Sequence, residues 1–144
     1  MRRILAVAAA ATALMITEGL ALAADGDPAK GEVVFKQCMA CHRIGPDAKN
    51  LIGPVLNDVI GRKAGTAEAY NYSPLNKSAG DNGLVWTEAL INEYLPDPNA
   101  FLKKFLTDKG KADLATGATK MTYKLANEQQ RADVIAYVKT FSKK

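Results

Sequence analysis

Apolar positions fall into two regimes along this chain. From Ile4 to Ile16 they are nearly continuous, with Thr12 the one interruption. After residue 24 they break into short stretches, each opened by a capping residue. Asp27-Pro28 reads as an N-cap followed by proline at the first helical position, and predicts a helix running to about Cys41. Ser73-Pro74 predicts a brief helix to about Ala79, with a turn over Gly80–Gly83. Thr87 caps a helix that must stop near Leu95, because Pro96 follows. Asp97-Pro98 opens another, with Phe101, Leu102, Phe105 and Leu106 at helical spacing and Gly110 past its end. Asn127 with Gln130 resembles a capping box, and Val134, Ile135, Val138 and Phe141 continue one stripe towards the C-terminus.

Between these pieces, residues 43–54 are punctuated by Gly and Pro and predict loop; Val55–Ile60 predicts a short helical turn. No stretch alternates long enough to argue for a strand, and no repeat is visible. The fold class expected is all-α: several short helices and much loop. Five such helices with 7% aromatic residues make a thin core. A large apolar cofactor at the centre would complete it.

The first regime reads as an address. Met1-Arg2-Arg3, the apolar run and Ala21-Leu22-Ala23 follow the charged, apolar, small-residue order of a secretory signal peptide. The run is too short for a membrane span, which needs ~20 residues. Residues 1–23 are therefore expected to be a cleaved leader, and 24–144 one exported domain without a membrane span, in a periplasm-like space. Cleavage removes two arginines and one glutamate, so the net charge of +4 becomes +3. That balance is too small, in the wrong compartment, for a nucleic-acid partner.

The candidate chemistry is concentrated in five residues. Cys38-Met39-Ala40-Cys41-His42 is C-x-x-C-H, the attachment signature for c-type haem, and it holds the chain's two cysteines and its one histidine. Cysteines three apart at a helix end face one side, so each can form a thioether to the porphyrin. His42 is then carried under the iron as an axial ligand. A structural zinc site would need further Cys or His ligands that the chain lacks. A redox C-x-x-C would want a strand–helix setting. The second axial position falls to Met121 by elimination. Met1 and Met15 leave with the leader, and Met39 lies within the attachment loop on the same side as His42. With both axial positions filled by protein, one-electron transfer is expected rather than oxygen or peroxide chemistry, so no enzyme activity is expected. The rival enzyme reading, a small peroxidase or gas sensor, needs an open sixth position.

Beyond this motif, Gly53-Pro54, Gly61-Arg62-Lys63, Trp86 with Tyr94, Thr119-Lys120-Met121 and Asp133-Val134-Ile135-Ala136-Tyr137 complete a pattern over residues 31–141. The chain resembles the class I c-type cytochromes, most closely the bacterial cytochromes c2, kin of mitochondrial cytochrome c. The resemblance implies the cytochrome c fold, with first and last helices crossing, around one covalently bound haem c. It implies that the Pro54 carbonyl accepts the His42 ring N–H and that Arg62, Tyr72 and Trp86 hold the haem propionates. It implies too that Tyr94, Asn76 and Thr119 form a polar set near Met121, and that Gly31 and Phe35 meet Val134 and Tyr137 at the helix crossing. The segment from Tyr94 to Met121 is longer than in the mitochondrial proteins, and Tyr123 stands where those usually have Phe.

Lys36, Lys103, Lys104, Lys120 and Lys124 lie near the ligand segments and predict a basic surface that would steer acidic redox proteins to the haem edge. The family implies a monomeric carrier whose partners are a quinol–cytochrome c oxidoreductase and a photosynthetic reaction centre or terminal oxidase. A subunit fixed permanently to one dehydrogenase is the alternative.

Overall fold

A computed structural model describes residues 25–143, so the candidate leader at 1–23 lies outside the described residues. Among the described residues five α-helices carry the fold: α1 (Pro28–Phe35), α2 (Pro74–Asp81), α3 (Glu88–Tyr94), α4 (Pro98–Asp108) and α5 (Glu128–Lys139). Single 3₁₀ turns lie at Cys38–Ala40 and Ala112–Leu114. No strand forms among the described residues, where an isolated antiparallel bridge joins Lys63 and Val85.

Each of the five capped helix starts is present. Asp27, Ser73, Thr87, Asp97 and Asn127 each accept a backbone N–H of the first turn with a side-chain oxygen. These caps satisfy donors that short helices can least spare. At Asn127 the bond to the Gln130 N–H measures 3.0 Å.

Helix ends and turns depart from the expectation in four places. Helix α1 stops at Phe35 rather than reaching Cys41, because the Lys36 and Gln37 N–H groups bond three residues back, to Val33 and Val34. The tightened turn continues at Cys38–Ala40, and three residues per turn stack position i over i+3. Cys38 opens that turn and Cys41 caps its end, its N–H bonded to Cys38 O at 3.0 Å. Residues 55–60 form turns, not helix, since Asp58 takes a left-handed φ of 56° and its N–H bonds Phe141 O at 3.0 Å. Helix α2 runs through Gly80, where a Cβ would lie 1.9 Å from the Ala64 carbonyl oxygen. Packing, not turn chemistry, put glycine there. Helix α5 ends at Lys139, and Phe141 packs beyond it, its ring 5.2 Å from that of Tyr137.

Helices α1 and α5 cross with their backbones in contact. A Cβ on Gly31 would come within 1.9 Å of the Asp133 carbonyl oxygen, so glycine is required despite its cost of ~1 kcal/mol within a helix. The crossing is locked by the Asp27 N–H on Asp133 Oδ1 at 2.8 Å and by the Phe35 and Tyr137 rings, 5.4 Å apart. The buried core continues through Leu75, Leu84, Leu102 and Leu106, which draw α2 and α4 together. A run of rings, Trp86, Tyr94, Phe101 and Phe105, seats α4 at centroid spacings from 4.8 to 6.5 Å.

Candidate functional site

The helices leave a cavity of about 320 Å³ at the centre of the molecule. Close-packed interiors leave few voids larger than a water, whereas ligand sites begin near ~300 Å³. Its mostly apolar wall includes Phe35, Leu56, Val59, Ile91, Leu95, Leu125, Val134, Ile135 and Val138. Cys38, Cys41, His42 and Met121 all line it.

The Cys38–His42 segment is shaped by one carbonyl. Cys38 O accepts from both the Cys41 and His42 N–H groups, at 3.0 and 2.9 Å. The His42 ring is held from two directions. Its Nδ1 meets Pro54 O at 2.7 Å, which leaves Nε2 as the nitrogen available to a metal. Gly53 lies flat against the ring, where a Cβ would sit 2.5 Å from Cε1. Burial lowers the His42 pKa, the Pro54 contact opposes that shift, and the nearby Arg62 cation adds to it. Burial, and then Cys41, pushes the Cys38 thiol up to about 11. Among the described residues no group of three or more His, Cys, Asp and Glu could hold a metal on its own.

Around Met121 the structure brings together the polar residues noted in the sequence. The Met121 N–H donates to Thr119 Oγ1 at 3.3 Å, and that hydroxyl donates to Asn76 Oδ1 at 2.9 Å. Ser73 Oγ, which caps α2, reaches the same Oδ1 at 3.0 Å. Burial raises the Tyr94 phenol to about 12, while hydrogen bonds to Thr119 and Asn76 pull the other way. Thr119 is also fixed through its own N–H by Asn99 Oδ1 of α4 at 3.1 Å.

Arg62, Tyr72 and Trp86 line a further part of the cavity. The guanidinium of Arg62 donates to Val55 O at 3.1 Å and Asn57 O at 3.3 Å, and burial lowers its pKa. A half-buried cation bonded to neutral carbonyls is a place for an acid group. The Tyr72 hydroxyl accepts from the Ala67 N–H at 3.3 Å.

Sequence reasoning missed several contributors. Gly53 was read with Pro54, but its contact with the imidazole is a tertiary fact. Ser73 was recognised as a cap and not as a partner of Asn76. Asn99 and Tyr70, whose hydroxyl donates to Ile52 O at 2.7 Å, carry no local signal. The basic surface is less free than the sequence suggested. Lys124 pairs with Asp97 at 2.5 Å, Lys104 pairs with Asp108, and Lys120 donates to Asn71 O.

The donor set fits a haem. Two thiols, one oriented imidazole and one thioether share a single, mostly apolar chamber, with the half-buried Arg62 guanidinium available for propionates. Comparison with known proteins agrees. The cytochrome c family model matches residues 28–142. Cytochrome c2 iso-1 of Rhodospirillum centenum is 66% identical over 118 residues, 82% of this chain and 98% of that protein. A cytochrome c2 of Rhodopseudomonas palustris is 62% identical over 137 residues, 95% of this chain and 94% of its own. The solved structure of cytochrome c2 from Rhodospirillum centenum superposes with a TM-score of 0.81 at 64% identity, covering 82% of this chain and all of that one.

Proposed function

The chain belongs to the cytochrome c family and is an electron carrier of the cytochrome c2 type with one covalent haem c; on that premise we propose how its residues hold the group and where it works. Cys38 and Cys41 form the two thioethers. His42 Nε2 and the Met121 sulfur would ligate its iron. Pro54 fixes the histidine tautomer. Arg62, Tyr72 and Trp86 receive the propionates, and Tyr94, Asn76 and Thr119 order the Met121 segment. When bound, the haem iron supplies reversible one-electron exchange.

The protein's own contribution is to keep that site dry and unchanging. Two protein ligands leave no position for oxygen or peroxide, and a soft thioether favours the reduced metal and raises the potential. The observation that carries this reading is that one cavity gathers Cys38, Cys41, His42 and Met121.

The carrier is exported to the periplasm by cleavage after Ala23 and works as a soluble monomer. It takes electrons from a quinol–cytochrome c oxidoreductase and delivers them to a photosynthetic reaction centre or a terminal oxidase, docking through lysines on acidic surfaces. In support, no helix among the described residues is long and apolar enough to cross a membrane.

Purified exported protein tests this directly. Its intact mass should equal the chain from Ala24 plus one haem, and its ferric spectrum should show the iron–thioether charge-transfer band. Met121→Ala should abolish that band and open the sixth position. A colourless product at the bare polypeptide mass overturns haem attachment, and an unchanged Met121→Ala spectrum overturns the axial assignment.

A further inference from the structure

Met121 lies in a segment with almost no regular backbone bonding. Between Thr119 and helix α5, the one backbone–backbone bond made by an N–H is that of Leu125 to Leu95 O, at 2.8 Å. Side chains hold the residues on either side of Met121: besides the Thr119 bonds to Asn76 and Asn99 and the Lys124–Asp97 pair, two contacts reach to the segments opposite. On one side Lys120 Nζ donates to Asn71 O and stands 5.6 Å from the centroid of the Tyr70 ring. On the other, the Tyr123 hydroxyl donates to Gln37 Oε1 at 2.5 Å, spanning 86 residues of sequence. Gln37, Tyr70, Lys120 and Tyr123 all line the same cavity as Met121, and Gln37 immediately precedes Cys38. The segments that carry the two axial ligands are thus tied directly to each other at the partly exposed edge of the site.

We propose that Gln37 and Tyr123 are positioning residues: their hydrogen bond straps the Met121 segment shut and sets how readily an outside ligand displaces the methionine sulfur. Lys120 is the second strap. This deepens the assignment of Met121 as an axial ligand and rests on it. Displacing a protein ligand requires the segment to swing outward, and local openings are resisted only by the contacts they break. The Tyr123–Gln37 bond must break in any such opening, whereas contacts within the α1–α5 crossing need not.

The test is a titration of the ferric holoprotein with imidazole, following loss of the iron–thioether band. Tyr123→Phe removes the donor while keeping the ring, and Gln37→Leu removes the acceptor. An exposed hydrogen bond of modest net worth predicts that each raises imidazole affinity about two- to fivefold. Because the two residues share one bond, the double variant should bind no tighter than the stronger single variant. Lys120→Met combined with Tyr123→Phe should exceed either alone, since those are separate straps. Amide hydrogen exchange over residues 121–124 should quicken in step, with α1 and α5 unchanged. Unaltered affinity in Tyr123→Phe, or Tyr123 and Gln37 effects that multiply in the double variant, overturns the strap while leaving the ligation intact. A wild-type protein without the thioether band overturns the ligation itself, and the strap with it.

Discussion

At the scale of single residues, scarcity made the chemistry readable. One histidine and two cysteines within five positions admit few uses, and elimination left one methionine. What surrounds those atoms was less legible, because its signal is spatial. Gly53 is the clearest case. Nothing in its neighbours' identities says that a histidine ring will lie against its α-carbon. The structure turns that into a prediction. Gly53→Ala places a methyl 2.5 Å from His42 Cε1, and the ring cannot yield without straining its bond to Pro54. The holoprotein should lose about 1–3 kcal/mol of unfolding free energy, as overpacked sites do. Chemical denaturation checks the magnitude. Equal stability would mean that the imidazole has room to retreat.

Among the elements, starts were legible and ends were not. A helix start is a local event, in which one side-chain oxygen meets the N–H groups two or three residues on. Asp27, Ser73, Thr87, Asp97 and Asn127 all behave so. An end is decided by what the chain must reach next. Helix α1 gives way early to the 3₁₀ turn at Cys38–Ala40 that opens the cysteine motif, and α2 continues through Gly80, where only a residue without a side chain fits against the Ala64 carbonyl. At the α1–α5 crossing the decisive element contact is a carboxylate. Asp133 accepts from the Asp27 N–H at 2.8 Å and from Gln129 Nε2 at 2.9 Å, and these bonds, the backbone one foremost, hold its pKa below the ordinary value. A depressed carboxylate stabilises the fold above its unfolded pKa of ~4, and that contribution fades as pH falls through the lower folded value. Asp133→Asn should therefore lower the melting temperature at pH 7, and the gap from wild type should close as the solution is acidified below ~4. A gap that stays constant with pH would show that the charge does not matter at this crossing.

For the molecule as a whole, the all-α class and the need for something large at the centre were both legible, the second from too few aromatic residues for five short helices. The arrangement of surface charge was not. Lysines look alike in sequence, yet Lys104 and Lys124 already face carboxylates on α4 and at its cap. Such exposed pairs add little stability, but they blunt the outward field of each lysine. Docking to an acidic partner should thus depend more on Lys36, beside the attachment motif, than on Lys104. Electron transfer to such a partner should slow as ionic strength rises and the Debye length falls from ~30 Å at 0.01 M to ~8 Å at 0.15 M. Stopped-flow measurements across that range, with Lys36→Gln beside Lys104→Gln, check both statements. Rates indifferent to salt would remove electrostatic steering from the account.

The contact between α1 and α5 also sets a timetable. Its partners, Asp27 and Asp133, are 106 positions apart, so closing that seam closes a loop around nearly the whole domain. Loops of that size form slowly, and nothing is gained until both ends have arrived. A chain cut anywhere before α5 would keep its bare Gly31 notch and never lock. Proteases should clear such fragments quickly, so that incomplete copies do not accumulate beside finished ones.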